Sequence, residues 1–272
     1  MSKVVGDWVT RVALDLGVTT DELVVVDDFR SQSVKDNGCQ RGNNSAVLVN
    51  FQTFGKQYAV VRVEPIKQDN QEQCYEVIRL RLDHKAGVGG MLWALALALP
   101  RVVIQREGDL RGKQVLVLGA GLGTEGVMLA SRGAQVLLTD LPEVLPTMEY
   151  TVKSNQSMVQ NYGGFLTSSS LPWGPSSLEE CRNVLRMDFD IVLGCEIVYN
   201  EDALPDLLWT LRQVVRKKTV LYLALEDRYF SCLQFVRELG LSNQFLVENV
   251  QDFDTFGAED PYIFSIRSRI SQ

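Results

Sequence analysis

The stretch Val115-Leu116-Val117-Leu118-Gly119-Ala120-Gly121-Leu122-Gly123-Thr124-Glu125-Gly126 decides the fold. Its opening apolar run reads as a strand buried on both faces, the kind that parallel sheets use. The glycines that follow let the backbone turn tightly and pass close to a bulky ligand, where a Cβ would collide. A helix expected from Thr124 to Ser131 would present unpaired N–H groups to that ligand. A Gly-x-Gly-x-x-Gly pattern can be traced through Gly121, Gly123 and Gly126, which is the dinucleotide fingerprint. Its register is wrong. The first glycine after the strand is Gly119, and the sixth position counted from it is Thr124. Gly119-x-Gly121-x-Gly123 is the spacing in register with the strand, and it points to a nucleotide-like cofactor.

Outward from this turn, strands and helices alternate. Strands are expected at Val136 to Thr139, Phe165 to Ser168, Ile191 to Gly194 and Thr219 to Leu225. The helices between them are Glu143 to Asn155, Asp202 to Val215 and Tyr229 to Leu239. Another helix is expected around Met91 to Leu99, closed by Pro100. Two last strands, Phe245 to Val250 and Tyr262 to Arg267, flank a polar loop and suggest an antiparallel edge hairpin. The pattern is that of an α/β chain with a doubly wound, seven-stranded, Rossmann-like sheet.

Upstream the grammar differs. Residues 3–17 carry Val5, Trp8, Val9, Val12 and Leu16 at helical spacing. From Leu23 to Leu82 the chain is strand-like, with a hairpin expected around Gly55-Lys56 and a polar loop from Ser31 to Asn44. The expected organisation is a helix and β-rich extension over residues 1–86, then the α/β domain over 87–272.

Composition narrows the chemistry. The chain has 272 residues, 27 Lys and Arg against 34 Asp and Glu, and a formal net charge of −7. An acidic surface disfavours a non-specific grip on nucleic acid. Five cysteines without a CxxC pair, and no export signal in the sequence as given, lead to an expectation of reduced thiols in the cytosol or nucleus. A single histidine, His84, argues against a His-based metal site or nucleophile, so no metal is expected. No apolar run reaches the roughly 20 residues of a membrane span, so no membrane partner is expected, and the chain is expected to be a monomer.

Two further signals carry chemistry. Asp140 ends the strand after the glycine turn, where a carboxylate can accept hydrogen bonds from both hydroxyls of a ribose; it could equally cap the next helix. Further on, Asp190-Ile-Val-Leu-Gly194-Cys195-Glu196-Ile-Val-Tyr199 sets an acid and an aromatic just past a buried strand. Ligands of open α/β sheets bind at that carboxyl edge. A carboxylate beside a phenol can orient an incoming amine, and a dry pocket lowers the amine pKa.

Taken together, Leu138-Thr-Asp140-Leu-Pro-Glu-Val-Leu145, Asn155, Leu171-Pro-Trp173-Gly174, Gly194-Cys195-Glu196-Ile-Val-Tyr199 and Asp260-Pro-Tyr-Ile-Phe264 resemble methyltransferase family 16. This family comprises the seven-β-strand protein lysine methyltransferases. The resemblance runs from about Gly89 to Arg267, and Gly119-x-Gly121-x-Gly123 suits the loop of such enzymes. It implies S-adenosylmethionine as cofactor and a partner protein carrying the target lysine. It also implies that Trp93, Gly119, Ala120, Gly121, Gly123, Asp140, Trp173 and Cys195 line the cofactor site, with Trp173 against the adenine. Glu196 and Tyr199 take the positions of the acidic-x-x-aromatic motif that serves lysine binding and catalysis. The sequence departs from the family pattern at Ala94 and Pro172, where acidic residues are common, and at Glu196, where aspartate is more frequent. Three rivals stay open: a small-molecule N-methyltransferase, an NAD-dependent oxidoreductase, and a binding protein that keeps the fold without catalysis.

Overall fold

The computed structural model describes residues 23–26, 47–53, 56–63, 76–227, 230–255 and 258–269. The helix expected over residues 3–17 and the loop expected from Ser31 to Asn44 lie outside them. The apolar run ahead of the glycine turn forms strand β5 (Gln114–Leu118), buried at every position after the first. It has parallel neighbours on both sides. Val117 faces Leu138 of β6 (Gln135–Asp140) on one side and Leu193 of β8 (Ile191–Cys195) on the other. β7 (Phe165–Ser170) lies outside β6, and β9 (Val220–Glu226) lies outside β8, both parallel. β11 (Pro261–Ser268) runs antiparallel to β9 and to the edge strand β10 (Phe245–Val250). The order is β10-β11-β9-β8-β5-β6-β7. The sheet is therefore the expected seven-stranded, doubly wound one with an antiparallel edge pair. Its last strand slots between β9 and β10 rather than adding outside them.

Period-two alternation assigns each strand residue to a face. In β5, Val115 and Val117 pack to one side while Leu116 and Leu118 pack to the other. β9 does the same with Tyr222 and Ala224 against Leu221, Leu223 and Leu225. The first face is covered by α1 (Leu95–Glu107), α2 (Thr124–Ala130) and α3 (Leu145–Asn161). The second is covered by α4 (Arg182–Arg186), α5 (Leu204–Val214) and α6 (Phe230–Leu241).

One expected boundary fails. α1 does not stop at Pro100 but runs through it to Glu107. Proline in a helix interior removes one hydrogen bond and costs about 3 kcal/mol. Here every residue from Leu95 to Ile104 is buried, and burying a single Leu or Val side chain gains roughly 1.5–3 kcal/mol. Packing on all sides outweighs the break.

Ahead of this domain, β1 (Leu23–Val26), β2 (Val47–Thr53), β3 (Lys56–Val63) and β4 (Glu76–Leu82) form an antiparallel meander. The β2–β3 register closes at Thr53 and Lys56, as the expected hairpin requires. β4 joins the main core through Ile78 and Leu80, which are completely or almost completely buried. A polar clamp fixes that docking. Asn155 of α3, itself buried, accepts from the Arg79 N–H at 2.9 Å and donates to the Arg79 carbonyl at 2.8 Å. Among the described residues no helix is long and apolar enough to cross a membrane, no side-chain cluster could hold a metal ion, and Cys181 and Cys195 form no disulfide.

Candidate functional site

The strands after β5 go one way to β6 and β7 and then return to the other side as β8 and β9. That reversal leaves a crevice at the carboxyl ends of β5 and β8, where open α/β sheets bind ligands. A cavity of about 350 Å³ opens there. It brings together nine of the ten residues picked out from the sequence: Trp93, Gly119, Ala120, Gly121, Asp140, Trp173, Cys195, Glu196 and Tyr199. Gly123 is not part of the lining. It sits at the cap of α2 with φ +76°, and a Cβ there would press on Leu138 Cδ1 at 2.5 Å. Its glycine serves the turn and the packing of helix on strand.

The floor of the cavity is the turn after β5. Gly119 has φ +59°, and a Cβ on it would come within 2.6 Å of Ile197 Cγ2 and 3.4 Å of the Trp173 ring. Gly121 has φ +51°, and a Cβ there would lie 2.9 Å from the Gly89 carbonyl oxygen. Both positions need a residue that adopts a left-handed backbone without a side chain. Asp140 ties the turn down. Its Oδ2 accepts the Gly121 N–H at 2.8 Å and its Oδ1 accepts the Leu141 N–H at 2.7 Å. Each oxygen keeps a further lone pair for a ligand hydroxyl, so capping and ligand contact are compatible at this residue.

The opposite wall follows β8. Glu196 has φ +54°, unusual for a residue with a side chain and costing about 1–2 kcal/mol. Its N–H donates to the Ala224 carbonyl of β9 at 2.9 Å, which holds the strained residue at the strand end. Strain of this kind, over-determined by neighbours, gathers at functional sites. Glu196 Oε1 is shielded from solvent, whereas Tyr199, three residues on, is 46% exposed at the rim. Trp93 faces the cavity from the segment before α1, its Nε1–H bonded to the Val88 carbonyl at 3.0 Å. Trp173 stands after β7, followed by Gly174, whose N–H donates to Thr210 Oγ1 of α5 at 3.0 Å.

The site is anionic. Glu125, Asp140, Glu143, Glu196 and Asp206 line it, and no Lys or Arg does among the described residues. Burial pushes the Glu125 carboxyl up to about 7, against the opposing hydrogen bonds from its own N–H and from the Cys195 thiol. Burial raises Asp140 as well, countered by the Gly121 and Leu141 donors. The Cys195 thiol is held well above its usual value by burial and by the carboxylates of Glu125 and Glu196. Burial and the Asp140 charge raise the Tyr199 phenol. Such a cleft favours cationic guests and disfavours free phosphates.

Thr124 and Glu125 also line the cavity, though neither was picked out from the sequence as a site residue. The available signal was a carboxylate placed between the glycine turn and the apolar Val127-Met128-Leu129 of a helix whose every residue is buried.

The chain is also similar to known proteins. The mouse (Mus musculus) EEF1A lysine methyltransferase 3 is 35% identical over 144 residues, 53% of this chain and 58% of that protein. Protein N-lysine methyltransferase METTL21A of Danio rerio is 34% identical over 164 residues, 60% of this chain and 72% of the relative. METTL21A of Mus musculus is 30% identical over 193 residues, 71% and 84% of the two chains. Among solved structures, the magnesium protoporphyrin IX methyltransferase of Synechocystis PCC 6803 with bound S-adenosylmethionine superposes with a TM-score of 0.45 at 20% identity, covering 64% of this chain and 80% of that one. Residues 73–241 match the family model described as lysine methyltransferase, and with well over half of its length matched the chain belongs to that family.

Proposed function

We infer that the chain transfers a methyl group from S-adenosylmethionine to the ε-amine of a lysine in a partner protein. The observation that carries this reading is the strained Glu196, fixed at the end of β8 with Tyr199 at the rim of the same anionic cleft that the glycine turn floors. The residues present suit an adenosyl cofactor. Gly119 and Gly121 leave a cradle that a Cβ would fill, and Asp140 keeps acceptors for two ribose hydroxyls. Trp173 offers a flat face for the adenine, and Trp93, Ala120 and Cys195 complete the walls. When bound, the cofactor supplies an electrophilic methyl group on a sulfonium.

The protein contributes alignment and a dry, negative channel. Tyr199, half exposed, shapes the entrance through which a long side chain reaches inward. Glu196 accepts hydrogen bonds from the incoming amine and fixes its direction of approach. Desolvation in the cleft lowers the amine pKa against the opposing pull of the Glu196 carboxylate, and the proton leaves to solvent before attack. The four-stranded sheet, three of whose strands precede the matched segment, supplies a surface for choosing the partner protein. A net charge of −7 suits a basic protein segment better than a nucleic acid.

Incubation of the purified chain with tritiated S-adenosylmethionine and cell extract tests the reading. Label in protein, released as methyllysine on hydrolysis, is the expected result. Label confined to low-mass products would favour a small-molecule N-methyltransferase and overturn it.

A further inference from the structure

The order of the sheet fixes how an adenosyl cofactor lies in the cleft. Asp140 ends β6 and Trp173 follows β7, so the adenosine belongs over that half. The rest of the molecule extends across β5 toward β8, where the cavity wall is made by Thr124, Glu125 and Cys195. That end of the cofactor is an amino acid, with one ammonium and one carboxylate.

Two observations at that wall point to a ligand of this kind. Glu125 is 4% exposed, lines the cavity, and has the Cys195 thiol donating to its carboxylate. Thr124 is 1% exposed and also lines the cavity, and its Oγ1 is buried with no hydrogen-bond partner in the protein. Buried hydroxyls almost always have a partner. An orphan facing a ligand cavity beside a buried carboxylate is a neutral donor next to a cation acceptor. With no Lys or Arg in the lining among the described residues, a ligand carboxylate has to be met by neutral donors such as this one.

We propose that Thr124 and Glu125 form the subsite for the zwitterionic amino-acid tail of the cofactor, Glu125 accepting from the α-ammonium and Thr124 Oγ1 donating to the α-carboxylate. The proposal rests on the cofactor reading above and adds to it a pair of residues and a proton. The groups facing Glu125 are the Cys195 thiol of β8 and the Asp140 carboxylate at the end of β6. Glu196 and Glu226 crowd the same thiol. In the free protein Glu125 is poised near neutrality, and an ammonium at its carboxylate draws it to the ionised form. Tail binding therefore releases protons as the pH falls below about 7.

Titration calorimetry on the full chain separates the possibilities, using S-adenosylhomocysteine and 5′-methylthioadenosine, which keeps the adenosine and lacks the tail. Glu125→Gln is expected to weaken S-adenosylhomocysteine at least about 10-fold, and Thr124→Val by several-fold, with 5′-methylthioadenosine unchanged in both. The wild-type affinity for S-adenosylhomocysteine falls with pH below about 7 while that of Glu125→Gln does not. Equal weakening of both ligands, or none in either variant, overturns the subsite while leaving the cofactor reading intact. A wild-type chain that binds neither ligand overturns the cofactor reading and the subsite with it.

Discussion

Replacing Asp140 with alanine probes the account at its most heavily used side chain. The carboxylate holds two backbone donors, Gly121 N–H at 2.8 Å and Leu141 N–H at 2.7 Å. Each such bond to a charged acceptor contributes about 1.5–3 kcal/mol net, so the loss of both lowers the melting temperature of the cofactor-free protein by roughly 6–24 °C for a domain of this size. The effect on the cofactor is of the same size. Two hydrogen bonds from ribose hydroxyls to a charged acceptor contribute roughly 3–6 kcal/mol together, or two to four decades of affinity. The assay is calorimetric titration of wild type and Asp140→Ala with S-adenosylhomocysteine and with its 2′,3′-dideoxy analogue. The wild type should prefer the natural ligand by that margin, and the variant should bind the two about equally. If Asp140→Ala kept wild-type affinity, or if the preference for hydroxyls survived in it, the reasoning would be refuted. A fall in melting temperature alone would then mark Asp140 as a turn anchor and nothing more.

Glu196→Ala should remove methyl transfer while cofactor affinity stays within a few-fold of wild type, measured by label transfer and titration on the same preparation; full activity would remove Glu196 from the reaction. Gly119→Ala places a Cβ 2.6 Å from Ile197 in a residue with φ +59°, a strain of about 1–2 kcal/mol before the clash is counted, so thermal melts should show lower stability and titration at least ten-fold weaker cofactor binding. Glu125 gives a pH signature. Its folded pKa of about 7 exceeds its ordinary 4.5, so the group costs nothing below the lower value, becomes progressively destabilising as pH rises from the lower to the upper, and costs roughly 3 kcal/mol above the upper one. Glu125→Gln should therefore raise the melting temperature of the cofactor-free protein by roughly 6–12 °C near pH 8 and hardly at all near pH 4.5; equal shifts at both would show that the carboxyl is not held neutral by burial.

What could be read from the residues, and what could not, divides along physical lines. Strands with two buried faces announce themselves by unbroken apolar runs, and Gln114–Leu118 and Val220–Glu226 formed within a residue of their expected limits. Helix ends were harder. Pro100 looked like a terminus because proline breaks isolated helices, yet a helix buried on every side carries one inside. Asn155 looked like the last residue of α3, which instead continues to Asn161, beside Gly163 with its φ of +75°. The polar residues past Asn155 are what an outer face of a long helix requires, and they resembled the start of a loop. The glycine turn, Asp140, and the Glu196 to Tyr199 segment came together because the carboxyl edge of a parallel sheet collects every strand end in one place. Gly123 was grouped with them by spacing alone, although its closest neighbour is Leu138 of the adjoining strand. Thr124 and Glu125 escaped notice because spacing says nothing about which helix residues look back over the sheet edge, and a lone carboxylate in a helix is ordinarily solvated.

The most direct test is the crystal structure of the chain with S-adenosylhomocysteine. The adenine is expected against Trp173, the ribose hydroxyls on Asp140, the amino-acid tail at Thr124 and Glu125, and the sulfur facing the gap between Glu196 and Tyr199. A ligand bound elsewhere, or one whose sulfur turns away from those two residues, would contradict this arrangement.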